Sequence, residues 1–200
     1  MRTITSRSDG FARALEQVRA VPVRPEFDLD EAPAPQRLAP SSLALTVERA
    51  DPDLPEASGR FVLLHDPDGV DEWEGSFRAV VFVRAEVEAD LLDDPMLQDV
   101  GWSWVMEALA STGSRYTQLG GTVTRTSGHS FGTMVDRPSD GFLEVRASWT
   151  PSEDAATGEV LDDLGQHVTA WLNLTALAAG LPPVPPGVTY VDSARRRGRR

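Results

Sequence analysis

The sequence predicts an α+β fold, an antiparallel sheet of about five strands with helices packed on it in the order α-βββ-α-ββ-α. Three observations carry this. Strand-like segments follow one another without a helix between them, which fits antiparallel pairing. Three stretches have the 3.6-residue apolar period of helices. Hydrophobic residues make up 40% of 200 residues, enough for one core in a single domain expected to span residues 1–190.

Residues 9–20 read as the first helix. Phe11, Ala14, Leu15, Val18 and Val21 share a face, Ser8 or Asp9 can cap it, and Pro22 and Pro25 end it. Residues 21–40 hold five of the 15 prolines and read as an extended connection. Phe27 and Leu29 alternate with acids there, as they would along a sheet edge.

Leu43, Leu45 and Val47 alternate with smaller or polar residues and predict a half-buried strand. A short apolar run at 60–65 predicts a second. Asp66-Pro67-Asp68-Gly69 then reads as a turn, because Pro presets φ and Gly accepts φ > 0. Residues 75–88 are the longest strand. Its middle, Ala79 to Val83, is apolar on both faces, which implies a central place in the sheet with both faces covered.

The second helix is expected from about Pro95 to Thr112, with Asp93 or Asp94 as cap, Pro95 at the first position and Gly113 as stop. Its polar stripe is only Asp99, Ser103 and Glu107, so it should be buried on two sides or sit at an interface. Trp102 and Trp104 project about 160° apart on such a helix. One of them is therefore expected to reach a second helix, a ligand groove or a partner.

Two strands follow. Residues 115–127 contain Gly120-Gly121, a bulge or bend. In 141–149, Leu143, Val145, Ala147 and Trp149 alternate with Phe142, Glu144, Arg146 and Ser148. The last helix is expected from about Gly158 to Ala179, stopped by Gly180 and Pro182, with Val160, Leu161, Leu164, Val168, Trp171, Leu172 and Thr175 on one arc. Residues 181–190 are Pro-rich, and 191–200 read as a disordered Arg-rich tail.

The charge pattern excludes several chemistries. All 19 basic residues are Arg, against 31 Asp and Glu, and there is no Cys. Without Lys there is no Schiff base and no P-loop lysine. Without Cys there is no thiol nucleophile, disulfide or Cys-based metal site. Up to residue 194 the chain carries 14 Arg and a net charge of −17, and Arg195, Arg196, Arg197, Arg199 and Arg200 bring it to −12. So acidic a body repels nucleic acid and anionic membrane, leaving the Arg tail as the one segment suited to RNA. No stretch approaches the ~20 apolar residues of a membrane span, and residues 1–10 lack the apolar core of a secretory signal. The protein is expected in the cytoplasm.

One motif invites a catalytic reading. Gly128-His129-Ser130-Phe131-Gly132 fits G-x-S-x-G, the nucleophile elbow of serine hydrolases. Ser130 would be the nucleophile, Asp136 (or Asp140 or Asp162) the acid and His167 the base. The elbow requires a helix directly after its serine, whereas Thr133 to Gly141 contains Pro138 and has no helical period. A strand end running into a Gly-rich turn explains the residues more simply. His65, His129 and His167 lack metal-ligand spacing, and no metal or other cofactor is expected. Phe77-Arg78 and Phe82-Val83-Arg84 are slight support for an RNA-reading sheet.

Several stretches resemble the actinobacterial domain of unknown function 3000 family. They are APQRLAP (34–40), GRFVLLHDPDG (59–69), WEGSFR (73–78), DVGWSWVMEAL (99–109), GTVTRTSGHSFG (121–132) and EVRASWTP (144–151). The resemblance covers about residues 10–190. It implies a cytoplasmic bacterial protein and assigns no activity, cofactor or catalytic residue. The element order is also similar to that of small acidic secretion chaperones, which dimerise and bind extended segments of partner chains. The leading expectation is thus a non-catalytic protein-binding or chaperone-like domain, in dimeric form. A serine hydrolase and an accessory factor in RNA metabolism are the alternatives.

Overall fold

The computed structural model describes residues 5–135, 140–154, 157, 159–160 and 164–183. Its elements are α1 (Thr5–Arg19), β1 (Phe27–Ala32), β2 (Ser41–Arg49), β3 (Ala57–Val70), β4 (Gly75–Glu86), α2 (Ala89–Leu92), α3 (Leu97–Thr112), β5 (Tyr116–Gly128), a 3-10 turn at Gly132–Met134, β6 (Asp140–Pro151) and α4 (Leu164–Ala178). The strands form one sheet in the order β1-β2-β3-β4-β6-β5, every neighbouring pair antiparallel. The class is α+β as expected, with six strands in place of five.

The additional strand is β1, inside the Pro-rich connection. Its prolines lie outside the six residues that pair with β2, so none removes a ladder hydrogen bond. Leu29 shares a face with Val47, while Asp28 and Asp30 turn to the other side. This acidic strand occupies one edge of the sheet.

Two further boundaries differ from the sequence reading. Asp66 to Gly69 is not the hairpin turn. It is a wide bulge within β3, between His65, paired with Phe77, and Val70, paired with Gly75. The Asp66 carboxylate accepts the Asp68 N–H at 3.0 Å, and Gly69 takes φ 78°. The chain reverses at residues 71–74 instead, with Glu74 at φ 55°. The second predicted helix is α3, starting at Leu97, and a short helix not foreseen in the sequence, α2, precedes it. Asp94 Oδ1 accepts the Met96 N–H at 2.8 Å, so the capping acid holds a turn just ahead of α3. In α1, Ser8 and Asp9 lie inside the helix, which starts at Thr5.

All helices pack on one face of the sheet. α4 lies across β3, β4 and β6, flanked by α1 and α3, and α3 also meets β5. The doubly covered helix is therefore α4, where 11 of 15 residues are buried, including Trp171, Val168 and Leu174. α3 buries Leu97, Gly101, Val105, Ala108 and Leu109 and leaves Val100 and Met106 exposed. Its narrow polar stripe thus reflects apolar residues in contact with solvent, which solvated surfaces tolerate singly. The last predicted helix starts late: Val160, expected on its apolar arc, forms an antiparallel bridge with Glu153, and the helix begins at Leu164. Residues 158 and 161–163, the Pro-rich 184–190 and the Arg tail fall outside the described residues.

α1 is held by Ala14 and Val18 in the core and by an aromatic stack at its start. Phe11 lies parallel to His65 at 5.6 Å, and Phe77 approaches the other side of His65 at 4.3 Å. His65 is 5% exposed, and burial pushes its pKa below 6.5, partly offset by the nearby Asp66 and Glu153 charges. A proton that the unfolded chain accepts near 6.5 is then refused by the folded one, so stability drops as pH falls below that value. A His65→Phe variant keeps the stack without titrating. Its melting midpoint should gain on that of the wild type as pH goes from 7.5 to 5, and parallel curves would dismiss His65 as the source.

Candidate functional site

Strand register assembles the site. Because paired residues of neighbouring strands project to the same side, the sheet's helix-free face consists of cross-strand rows. One row reads Asp30, Thr46, Arg60, Phe82, Arg146, Thr122 from β1 to β5. The next reads Ala32, Ala44, Val62, Val80, Ser148, Gly120. The first is tall in the middle, where Phe82 stands between two guanidinium groups. The second contains nothing larger than Val and ends on a residue with no side chain. A groove of about 540 Å³ lies beside the tall row, with Val62, Val80, Ser148 and Gly120 as floor and Arg60 and Arg146 at its rim.

This overturns one expectation. β4 is central, as its apolar middle implied, but only one of its faces is covered. Val81 and Val83 are 1% and 0% exposed beneath α4, whereas Val80, on the open side, is 37% exposed. The alternate apolar residues of β4 are the floor of a groove.

Adjacent glycines on β5 have opposite roles. At Gly120 an added Cβ would meet nothing within 4 Å, so the missing side chain keeps the groove open. At Gly121 it would run into the Arg146 carbonyl oxygen, with Ala147 Cα and the Trp102 ring both at 2.9 Å. The irregularity foreseen at this pair lies just before it, between Thr117 and Gly120, with Gln118 at φ 51°.

That irregularity serves a half-buried charge. Arg78 donates to Gln118 O at 3.0 Å, Thr150 Oγ1 at 3.0 Å and Ser148 Oγ at 2.7 Å. Burial holds its guanidinium below the usual arginine pKa. Arg60 donates to the Pro33 carbonyl at 2.8 Å. Among the described residues, neither Arg60 nor Arg78 forms a salt bridge with a carboxylate. Arg146 pairs with Glu144 at 3.2 Å, and its guanidinium carbon lies 5.4 Å from the centre of the Phe82 ring. Arg84 pairs with Glu56 at 3.1 Å and stands 3.5 Å over Phe142. On β3, β4 and β6 the open face carries Arg60, Arg78, Arg84 and Arg146 against Glu86 and Glu144, with Glu56, just ahead of β3, paired to Arg84.

The residues singled out from sequence lie elsewhere. His167 is 0% exposed within α4, and its Nδ1 accepts the Trp149 Nε1–H at 3.0 Å. In a catalytic triad that nitrogen would instead donate to a carboxylate. Ser130 follows β5 in the turn ahead of the three-residue 3-10 helix, and His129 Nδ1 lies 3.1 Å from Gly128 O. Asp136 is outside the described residues, as are Arg195, Arg196, Arg197, Arg199 and Arg200. Trp102 and Trp104 are both half-buried against the core on the covered face. Trp102 lies over Gly121, and Trp104 bridges to the small cluster of Leu92, Leu97 and Leu143. Phe77 and Arg78 point to opposite sides, Phe77 into the core at 5% exposure, so of Phe77 and Phe82 it is Phe82 that stands on the open face.

The groove residues escaped the sequence reading because they come from four strands and nothing in the linear order brings Arg60 beside Arg146. The usable signal was the two-sided apolar run of β4 together with Gly120. Among the described residues, no cluster of three or more His, Asp or Glu could hold a metal ion, and no helix is long and apolar enough to cross a membrane. No curated protein and no solved structure matches the chain. The family model described as protein of unknown function (DUF3000) matches residues 7–189.

Proposed function

The chain belongs to the DUF3000 family, whose function is unknown, and from its own residues we propose a non-catalytic, chaperone-like domain that holds an extended segment of a partner protein on the open face of its sheet. The observation that carries this reading is the groove across β3, β4, β6 and β5. It is apolar along its floor and is lined at its rim by side chains that can donate hydrogen bonds. A partner segment laid there would cover Val62 and Val80, apolar surface that the fold itself leaves in contact with solvent. The serine motif lends no competing support, since His167 is engaged with Trp149 in the core.

Gly120→Leu offers a clean test. Its side chain enters open space, so the fold is retained while the groove is filled. Random peptides displayed on phage and selected on the wild-type protein should include binders that lose about tenfold or more in affinity for Gly120→Leu, roughly the cost of displacing a few buried apolar groups. If selection yields no peptide that distinguishes the two proteins, the groove is not a docking surface.

A further inference from the structure

We infer that the occupant of this groove is an acidic segment in extended conformation, in which carboxylate side chains alternate with small apolar ones. The inference rests on the docking role proposed above and adds the chemistry of the partner. The first support is charge. The chain as a whole carries −12, yet the middle of its open face has four Arg to two Glu. Of those two, Glu144 is engaged with Arg146, and Arg84 is paired with a third carboxylate, Glu56, just ahead of β3. Arg60, at the rim, is hydrogen-bonded to the neutral Pro33 carbonyl, and Arg78, outside the groove lining, to three neutral oxygens; neither forms a salt bridge among the described residues. A guanidinium with spare N–H groups at the edge of an apolar floor is suited to a carboxylate, which it can bind with two parallel hydrogen bonds.

The second support is shape. The low row crosses the strands from Val62 to Gly120, three gaps of about 4.8 Å, or roughly 14 Å. An extended peptide rises about 3.3 Å per residue, so about four residues fill it and a hexapeptide spans it with about one residue over at each end. In such a segment successive side chains alternate in direction. Those pointing down meet Val62, Val80 and the space over Gly120, where only small apolar groups fit. Those pointing outward reach the rim where Arg60 and Arg146 stand.

Two other occupants fit less well. A second copy placed face to face about a twofold axis through the groove would bring Arg60 and Arg146 against their own equivalents. Single-stranded nucleic acid needs exposed aromatic platforms. The open face has Phe82 and Phe142 to offer, and an arginine already lies over each ring.

The test uses a fluorescein-labelled hexapeptide of alternating Val and Asp, its counterpart with Lys for Asp, and a labelled oligouridylate, all titrated into the full chain. The Val-Asp peptide should bind saturably, weaken as salt rises, and exceed the Lys peptide by about tenfold or more, as expected for charge pairs at a partly desolvated rim. Arg60→Gln and Arg146→Gln should each weaken it several-fold with melting temperatures unchanged, and Gly120→Leu should abolish it. Equal binding of the Lys peptide would overturn the acidic preference while leaving the docking role intact. So would failure of both hexapeptides where phage-selected peptides still depend on Gly120. Tighter, groove-dependent binding of oligouridylate would overturn the inference in favour of nucleic acid. A dimer in sedimentation that Gly120→Leu dissociates would overturn it in favour of self-association.

Discussion

Gly121→Ala is expected to destabilise the protein by about 2–3 kcal/mol, at the upper end of what overpacking a well-filled site costs. The new methyl group would be driven into the Arg146 carbonyl and the Ala147 Cα, which belong to the paired backbone of β6 and cannot swing aside as a side-chain tip can. Also against it is the Trp102 ring, which projects from α3 and packs on the core. Gly120→Ala, one residue earlier, should be neutral or stabilising by a few tenths of a kcal/mol, because its methyl enters open space and stiffens the unfolded chain. Urea unfolding of the two variants measures this. The midpoint should shift for Gly121→Ala alone with an unchanged denaturant slope, and equal midpoints would contradict the packing.

The larger loss is expected at Trp171. Trp171→Ala should cost about 3–5 kcal/mol, the range for deleting a fully buried large aromatic residue, and lower the melting temperature by on the order of 10 °C. Trp171 is 0% exposed, its ring centre lies 5.7 Å from that of Phe61, and its Nε1–H points to Phe82 O at 3.4 Å. It seats α4 on the sheet over Gly59, where a Cβ would come within 2.9 Å of the indole nitrogen. No neighbour is placed to collapse into a space of that size between a helix and a six-stranded sheet. A shift below about 1 kcal/mol by thermal or urea unfolding would show that α4 is not the keystone of the core.

The fold was readable wherever local pattern and tertiary environment agreed. The alternation in 141–149 placed Leu143, Val145, Ala147 and Trp149 correctly inside, each at 4% exposure or less. It failed where one residue type serves two environments. Prolines at 22, 25, 33, 35 and 40 suggested a connection, yet the six residues they bracket complete the sheet as an edge strand. Asp66-Pro67-Asp68-Gly69 has the residues of a turn and uses them for a bulge, since Gly69 at φ 78° satisfies either. Val80 and Phe82 are apolar, and periodicity cannot tell a covered face from a groove. That distinction depends on where α4 and α3 land, and α4 begins more than 80 residues later. The GHSFG string was legible as a motif, and so was the missing helix behind it. The fate of His167 was not, because its partner Trp149 lies on a strand 18 residues away.

The strand order carries a consequence for how the chain is made. β1 to β4 form a meander of sequence neighbours, and they leave the ribosome well before the parts that finish them. β6, the strand that enters between β4 and β5, spans residues 140–151, and α4 spans 164–178. A nascent chain that has reached only β4 has Phe61, Leu63, Val81 and Val83 facing water, since their cover has yet to be translated. Pairing β6 with both its neighbours and seating α4 are late, long-range events with high contact order. The groove shares that timing, because Arg146 and Ser148 come from β6. The groove is therefore complete only when the core closes, and a chain that ends at β4 lacks two of the four strands that line it.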